Sequence, residues 1–261
     1  MTLAPPPPLY FDTPDGMRHA YYELGGGDAG PPILMQHGFS ATTWHEWVQC
    51  GISDRIATLG RRVIGLDARG HGQSTRSHDP RDYGEGRMAE DVSALVDRLG
   101  VSSFDYLGYS MGGVIGLGVG INEPQRLRRL VIAGIGEGVV LKGGVDTRVL
   151  DRQLLAEGLR ADDPSGYPPL VRAFRGGIEM MGNDRFALAA HAESYRHGGI
   201  SGLDRITAPA LLIAGDADPL AVHPERLAAA MRDCRVAIVP GDHVQARLAP
   251  EFAAAAIDFL R

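Results

Sequence analysis

The sequence predicts an α/β fold, with a mostly parallel central sheet, helices on both faces and an inserted helical cap. Three observations lead there. Short apolar runs recur along the chain, stretches with helical periodicity separate them, and the alternation breaks once, over residues 137–200. A chain of 261 residues commonly forms one α/β domain with an insertion rather than two independent cores. The division expected is therefore a core in two parts, 1–136 and 201–261, with a cap between them.

In chain order, Met1 to Pro8 holds a proline run from Pro5, which reads as a stiff, exposed lead-in. Leu9 to Phe11 and Ala20 to Leu24 flank Pro14-Asp15-Gly16, the signature of an antiparallel hairpin. Ile33 to Gln36, Val63 to Leu66, Phe104 to Leu107, Leu130 to Ala133, Ala210 to Ala214 and Val236 to Val239 are short apolar runs. Continuous runs of this kind mark strands covered on both faces. Helical patterns fill the gaps at Trp44 to Leu59, Glu85 to Leu99, Met111 to Ile121, Pro224 to Arg232 and Pro250 to Leu260, the last two opening on proline.

The cap interval contains no buried-strand pattern. Its helix-like stretches are interrupted at Asp162-Asp163-Pro164-Ser165-Gly166 and at Gly176-Gly177. Phe174, Met180 and Met181 are placed either to line a substrate cavity or to pack the cap on the core.

Composition excludes several classes. The formal net charge is −6 and no block of like charges occurs, so the footprint of a nucleic-acid binder is missing. Arg126, Arg128 and Arg129 form the densest basic patch and read as a solvated loop. Cys50 and Cys234 lie far apart with no C-x-x-C spacing, which argues against a disulfide framework or structural zinc. No signal-peptide pattern and no apolar stretch of membrane-spanning length is present, so the expected location is the cytoplasm and no membrane partner is expected. No G-x-G-x-x-G or P-loop follows a strand and no H-E-x-x-H occurs. The expectation is no cofactor and no metal. Oligomeric state is not legible.

Chemistry concentrates at Gly108-Tyr109-Ser110-Met111-Gly112-Gly113, between the run ending at Leu107 and the helix beginning near Met111. A G-x-S-x-G between strand and helix suits a sharp turn that lifts one hydroxyl above the sheet, with glycines where strand and helix nearly touch. Ser110 is the candidate nucleophile. A serine needs a base, and nine histidines compete. His243, in Val239-Pro240-Gly241-Asp242-His243 after the last strand, returns to the carboxyl end of the sheet, where Ser110 is presented. His191, His197 and His223 fall in or beside the cap and read as packing or solvated residues. An orienting carboxylate is expected after Ala210 to Ala214, where Gly215-Asp216-Ala217-Asp218-Pro219 offers both Asp216 and Asp218. Asp242 is too close to His243 in sequence to face it, and Glu137 is a fallback.

In these motifs and their order the chain resembles the α/β-hydrolase family, over nearly its whole length, with the cap as the least similar part. The resemblance implies a Ser110, Asp218 and His243 triad and favours Asp218 over Asp216, which would then brace the turn. It matches the oxyanion loop to His37-Gly38-Phe39, and Asp67 to Ser74 to a turn that shapes the site entrance. It also implies that the backbone amides of Phe39 and Met111 hold the oxyanion, with His37 and His71 structural. The activity implied is a serine hydrolase on a small-molecule acyl substrate, most simply a carboxylesterase. Carbon-carbon hydrolase, lactonase, thioesterase and perhydrolase chemistry use the same constellation, and a small-ligand receptor with a slow triad is the reading from another class. Serine at the elbow argues against the halide- and epoxide-opening relatives, which use aspartate there.

Overall fold

The computed structural model describes residues 4–144, 146–194 and 199–261. Eight strands form one sheet: β1 (Leu9–Asp12), β2 (Arg18–Glu23), β3 (Ile33–Gln36), β4 (Val63–Leu66), β5 (Phe104–Tyr109), β6 (Leu127–Ala133), β7 (Ala210–Gly215) and β8 (Cys234–Val239). Their spatial order is β1-β2-β4-β3-β5-β6-β7-β8. β1, β2 and β4 pair antiparallel, and β4 through β8 pair parallel.

The inner parallel strands β3, β4, β5 and β7 read as continuous apolar runs because neither face meets water, whereas β8, expected from its apolar run to be covered on both faces, is an edge strand that leaves Val236 and Ile238 exposed. Ile33 and Met35 pack with Trp47, Leu107, Val131 and Phe252 on one face, while Leu34 joins Ile64, Tyr106, Leu130 and Ile132 on the other. This strict alternation within a fully buried strand fixes its register. The chain runs from β3 outward to β4, then returns to the other side of β3 as β5. That reversal opens a crevice at the carboxyl ends of β3 and β5, the usual place for a ligand in a sheet of this kind.

The core helices are α1 (Ile52–Ala57), α2 (Glu85–Arg98), α3 (Met111–Asn122), α8 (Pro224–Ala229), α9 (Gln245–Leu248) and α10 (Pro250–Leu260). Between β6 and β7 lie α4 (Glu137–Lys142), α5 (Arg152–Arg160), α6 (Pro169–Met180) and α7 (Arg185–Glu193), with no strand among the described residues of that interval.

Three local expectations are corrected. The single helix over Trp44 to Leu59 is two pieces: residues Trp44–Val48 form a wide turn in which Gln49 N–H donates to Trp44 O at 2.9 Å, and α1 follows. The break falls at Gly51, whose φ of +72° an ordinary residue resists. Arg128 and Arg129 lie in β6, not in a loop, because pairing with β5 already starts at Phe104 opposite Leu127. Arg126 precedes that strand and donates to Asp97 and to Val101 O, each at 2.7 Å.

The third correction concerns α6, which runs unbroken through Gly176 and Gly177. Each glycine costs a helix about 1 kcal/mol, but tertiary packing outweighs this. Val171, Arg175 and Ile178 form a buried stripe at helical spacing. Arg175 also donates to the carbonyls of Gly158, Leu159 and Ala161, satisfying orphan acceptors at the end of α5.

Candidate active site

Ser110 stands where β5 turns directly into α3, at φ +53° and ψ −114°. A non-glycine residue is strained there, and the surrounding structure leaves no room for a gentler path. A Cβ on Gly108 would lie 2.2 Å from Gly112 O, and one on Gly112 would lie 2.1 Å from Gln36 O. Strand and helix touch backbone to backbone, as the glycines in the motif require, and the Ser110 amide is held by Ala133 O at 2.7 Å.

The loops after β7 and β8 reach the same point. The Ser110 hydroxyl meets His243 Nε2 at 3.1 Å, and the His243 Nδ1–H donates to Asp218 Oδ2 at 2.8 Å. Asp218 is buried, and its other oxygen accepts the Leu220 amide at 2.8 Å, which fixes the carboxylate's plane. Asp216 points elsewhere and accepts the Gly241 amide at 2.8 Å, joining the two loops. Asp242 accepts the amides of Val244 and Gln245. Glu137 is paired with Arg148 and Arg226. Of the four carboxylates weighed, only Asp218 meets His243.

Phe39 follows β3 and Met111 is the first residue of α3, where an amide has no acceptor within the helix. β3 and β5 are neighbours, so the two segments lie side by side. A Cβ on Gly38 would come 3.3 Å from Ser110 Cβ. His37 is internal to its loop: Nε2 accepts the Ala68 amide at 3.0 Å, which leaves Nδ1–H to donate to Gly38 O at 2.8 Å. Asp67 accepts from Tyr22, Thr43 and Gln73, and Ser74 Oγ accepts the Ala20 amide while its hydroxyl donates to Asp67 O. The turn is architecture.

A cavity of about 190 Å³ opens over Ser110 and His243. Phe39, Leu150, Leu220 and Val244 give it an apolar wall, and Glu46, Arg152 and Arg247 add charge. Phe174 and Met181 also line it, whereas Met180 is 78% exposed and neither lines the cavity nor packs the interface. A larger groove of about 710 Å³ along α5 shares only Arg152 with this cavity. It is set apart from the serine, and the smaller space is the one next to the chemistry.

Several residues here carry no sequence signal. Tyr109, the variable position of the motif, donates its hydroxyl to His243 O at 2.7 Å and pins the histidine loop; burial, then the Asp218 charge, push its phenol well up. Asn183, between α6 and α7, donates to Ser40 O at 2.7 Å and Ala41 O at 3.3 Å and accepts the Gly72 amide at 2.8 Å. It thereby fastens the segment between β6 and β7 to the loop after β3, where Ser40 holds φ +69°. His191, from α7, stacks on Tyr83 and meets Phe39 and His71. His223 is exposed beside Glu225, and His197 lies outside the described residues. Among the described residues no group of His, Cys, Asp and Glu is arranged to hold a metal ion, and no helix is long and apolar enough to cross a membrane.

Comparison with known proteins gives the same architecture. A family model described as alpha/beta hydrolase fold matches residues 31–165. Among curated relatives, a 2-hydroxymuconate semialdehyde hydrolase of Pseudomonas putida is 31% identical over 171 residues, 65% of this chain and 53% of that protein. The chain's matches span 31% to 64% of the length of the first such relatives. Among solved structures, a hydrolase from Pseudomonas aeruginosa PA01 superposes with a TM-score of 0.75 at 28% identity, covering 97% of this chain and 98% of that one. An esterase from Exiguobacterium antarcticum superposes at 0.76 with 22% identity, covering 96% and 98%, a likeness of fold. A family model matched over half the chain, and superpositions over nearly all of it, lead to one conclusion: this chain belongs to the alpha/beta hydrolase fold family.

Proposed function

We propose that the chain is a serine hydrolase that cleaves an ester or related acyl bond of a small or medium substrate through an acyl-enzyme. One observation carries this reading: the continuous hydrogen-bonded path from Ser110 Oγ through His243 to Asp218, at 3.1 and 2.8 Å, at the floor of a cavity. In this mechanism Ser110 Oγ attacks the acyl carbonyl as His243 Nε2 takes the hydroxyl proton. Asp218 stabilises the imidazolium and holds its tautomer. The amides of Phe39 and Met111 receive the oxyanion. His243 then passes the proton to the leaving alkoxide, the C–O bond breaks, and the alcohol departs. A water, deprotonated by His243, attacks the acyl-enzyme; the acid leaves and Ser110 regains its proton.

In this reading residues 137–200 act as a cap between the core parts 1–136 and 201–261, and Phe174 and Met181 shape the acyl pocket from above. Both cysteines are free thiols, which fits a reducing compartment such as the cytoplasm. A second reading, hydrolysis of a carbon-carbon bond, is favoured by the likeness to the 2-hydroxymuconate semialdehyde hydrolase. Turnover on parallel panels of short-chain esters, lactones, thioesters and vinylogous diketones separates the chemistries. The expected result is multiple turnover on an ester at roughly 1 to 10³ per second. Tight binding of a ligand with a single turnover across every panel would instead indicate a receptor.

A further inference from the structure

One pair of charged residues is not needed by the triad yet joins the loop after β3 to the segment that carries His243. Glu46, 4% exposed, accepts the Gly38 amide on Oε2 at 3.1 Å, one residue before the Phe39 amide that the reading above assigns to the oxyanion. Its Oε1 pairs with Nε of Arg247, and Arg247 Nη1 also donates to Glu46 O at 3.3 Å. Arg247 lies on α9, four residues beyond His243. Both side chains line the cavity. The point where a Gly38 Cβ would sit is 3.3 Å from Glu46 Oε2 and 3.3 Å from Ser110 Cβ. The carboxylate and the nucleophile therefore flank the same glycine.

Such a pair has a cost without an obvious structural return, because apolar residues of the same volume stabilise a fold as well or better than a buried ion pair. Its placement has a consequence for chemistry. A lone carboxylate beside the oxyanion loop would repel the charge that develops on the acyl oxygen, and in a cavity walled by Phe39, Leu150, Leu220 and Val244 that repulsion is screened less than in bulk water. The geometry points to Glu46 and Arg247 as positioning residues: Glu46 aims the oxyanion loop through the Gly38 amide, and Arg247 cancels its charge while tying the loop to the histidine segment. The inference rests on the hydrolase reading and assigns to the pair a role in binding the anionic transition state rather than the neutral substrate.

The test measures kcat, KM and inhibition by an alkyl boronic acid, whose serine adduct is tetrahedral and anionic, for the wild type, R247M, R247K, E46Q and the double variant E46Q/R247M. Melting temperatures are recorded, and all assays are run well below the lowest. Expected for R247M is a roughly 10- to 100-fold loss in kcat and in boronate affinity with KM within a few-fold. R247K, which keeps the charge, should retain more of both, and E46Q/R247M should recover most of what R247M loses, since the uncompensated carboxylate is gone. E46Q alone should lose a few-fold. If R247M lowers the melting temperature but leaves kcat and boronate affinity as in the wild type, or if the double variant is no better than R247M, the inference is overturned. Absence of both turnover and boronate inhibition in the wild type would instead bring down the hydrolase reading and this inference with it.

Discussion

At the scale of single residues, two aspartates two positions apart compete to orient His243 as the proposed base. Asp218 meets His243 Nδ1 at 2.8 Å while Asp216 holds the Gly241 amide, so the two should fail differently. Asp218→Asn keeps the shape but favours the wrong imidazole tautomer and removes the counter-charge; serine-protease precedent puts the loss in turnover at about 10⁴. Asp216→Asn weakens only a loop brace, about 0.5–1.5 kcal/mol of stability, with most activity kept. Turnover and unfolding midpoints of both variants check the assignment, and an inactive Asp216→Asn beside an active Asp218→Asn would reverse it. Ser110 and His243 were legible in the sequence because a glycine-flanked serine between strand and helix, and a histidine after the last strand, are local patterns. Spacing left Asp216 and Asp218 tied, and only the family resemblance separated them. Tyr109, Glu46 and Arg247 were not legible, since each acts on a partner far away in the chain.

At the scale of elements, the segment between β6 and β7 shares its buried side chains with the core, and Asn183 adds hydrogen bonds between them. It reaches Ser40, Ala41 and Gly72 at once, so Asn183→Ala leaves buried backbone groups without partners. The expected cost is about 1–3 kcal/mol, together with a higher KM and faster proteolytic cleavage between residues 137 and 200. Unchanged melting, KM and cleavage would contradict the role given to it. The strands were read correctly to within a few residues because a buried parallel strand is a short, dense apolar signal. Helices were read less well where local preference and tertiary packing disagree: Gly51 divides a stretch whose apolar periodicity runs on, and the Val171, Arg175 and Ile178 stripe carries α6 through two glycines.

At the scale of the whole molecule, insertion and core meet over an aromatic and imidazole cluster with a pH signature. His71 and His191 are fully buried, and burial, reinforced by neighbouring histidines and by Arg76, Arg152 and Arg69, holds both well below the usual imidazole range. They stay neutral in the folded state, whereas in the unfolded chain they take protons below about 6.5. The unfolded state then binds more protons, so stability falls as pH drops from about 6.5, by up to about 1.4 kcal/mol per pH unit for each histidine. Urea unfolding between pH 7.5 and 5 should show this slope, and His191→Phe, which keeps a ring against Tyr83, should reduce it; an unchanged slope would count against the cluster. The same packing borders the cavity over Ser110, the serine on which the proposed hydrolysis depends. The most direct measurement is intact-mass and peptide-mapping analysis after reaction with a fluorophosphonate. One adduct is expected, on Ser110, formed by the wild type, absent from Ser110→Ala and much slower in His243→Ala; equal labelling of Ser110→Ala, or an adduct mapped to another residue, would contradict Ser110 as the nucleophile.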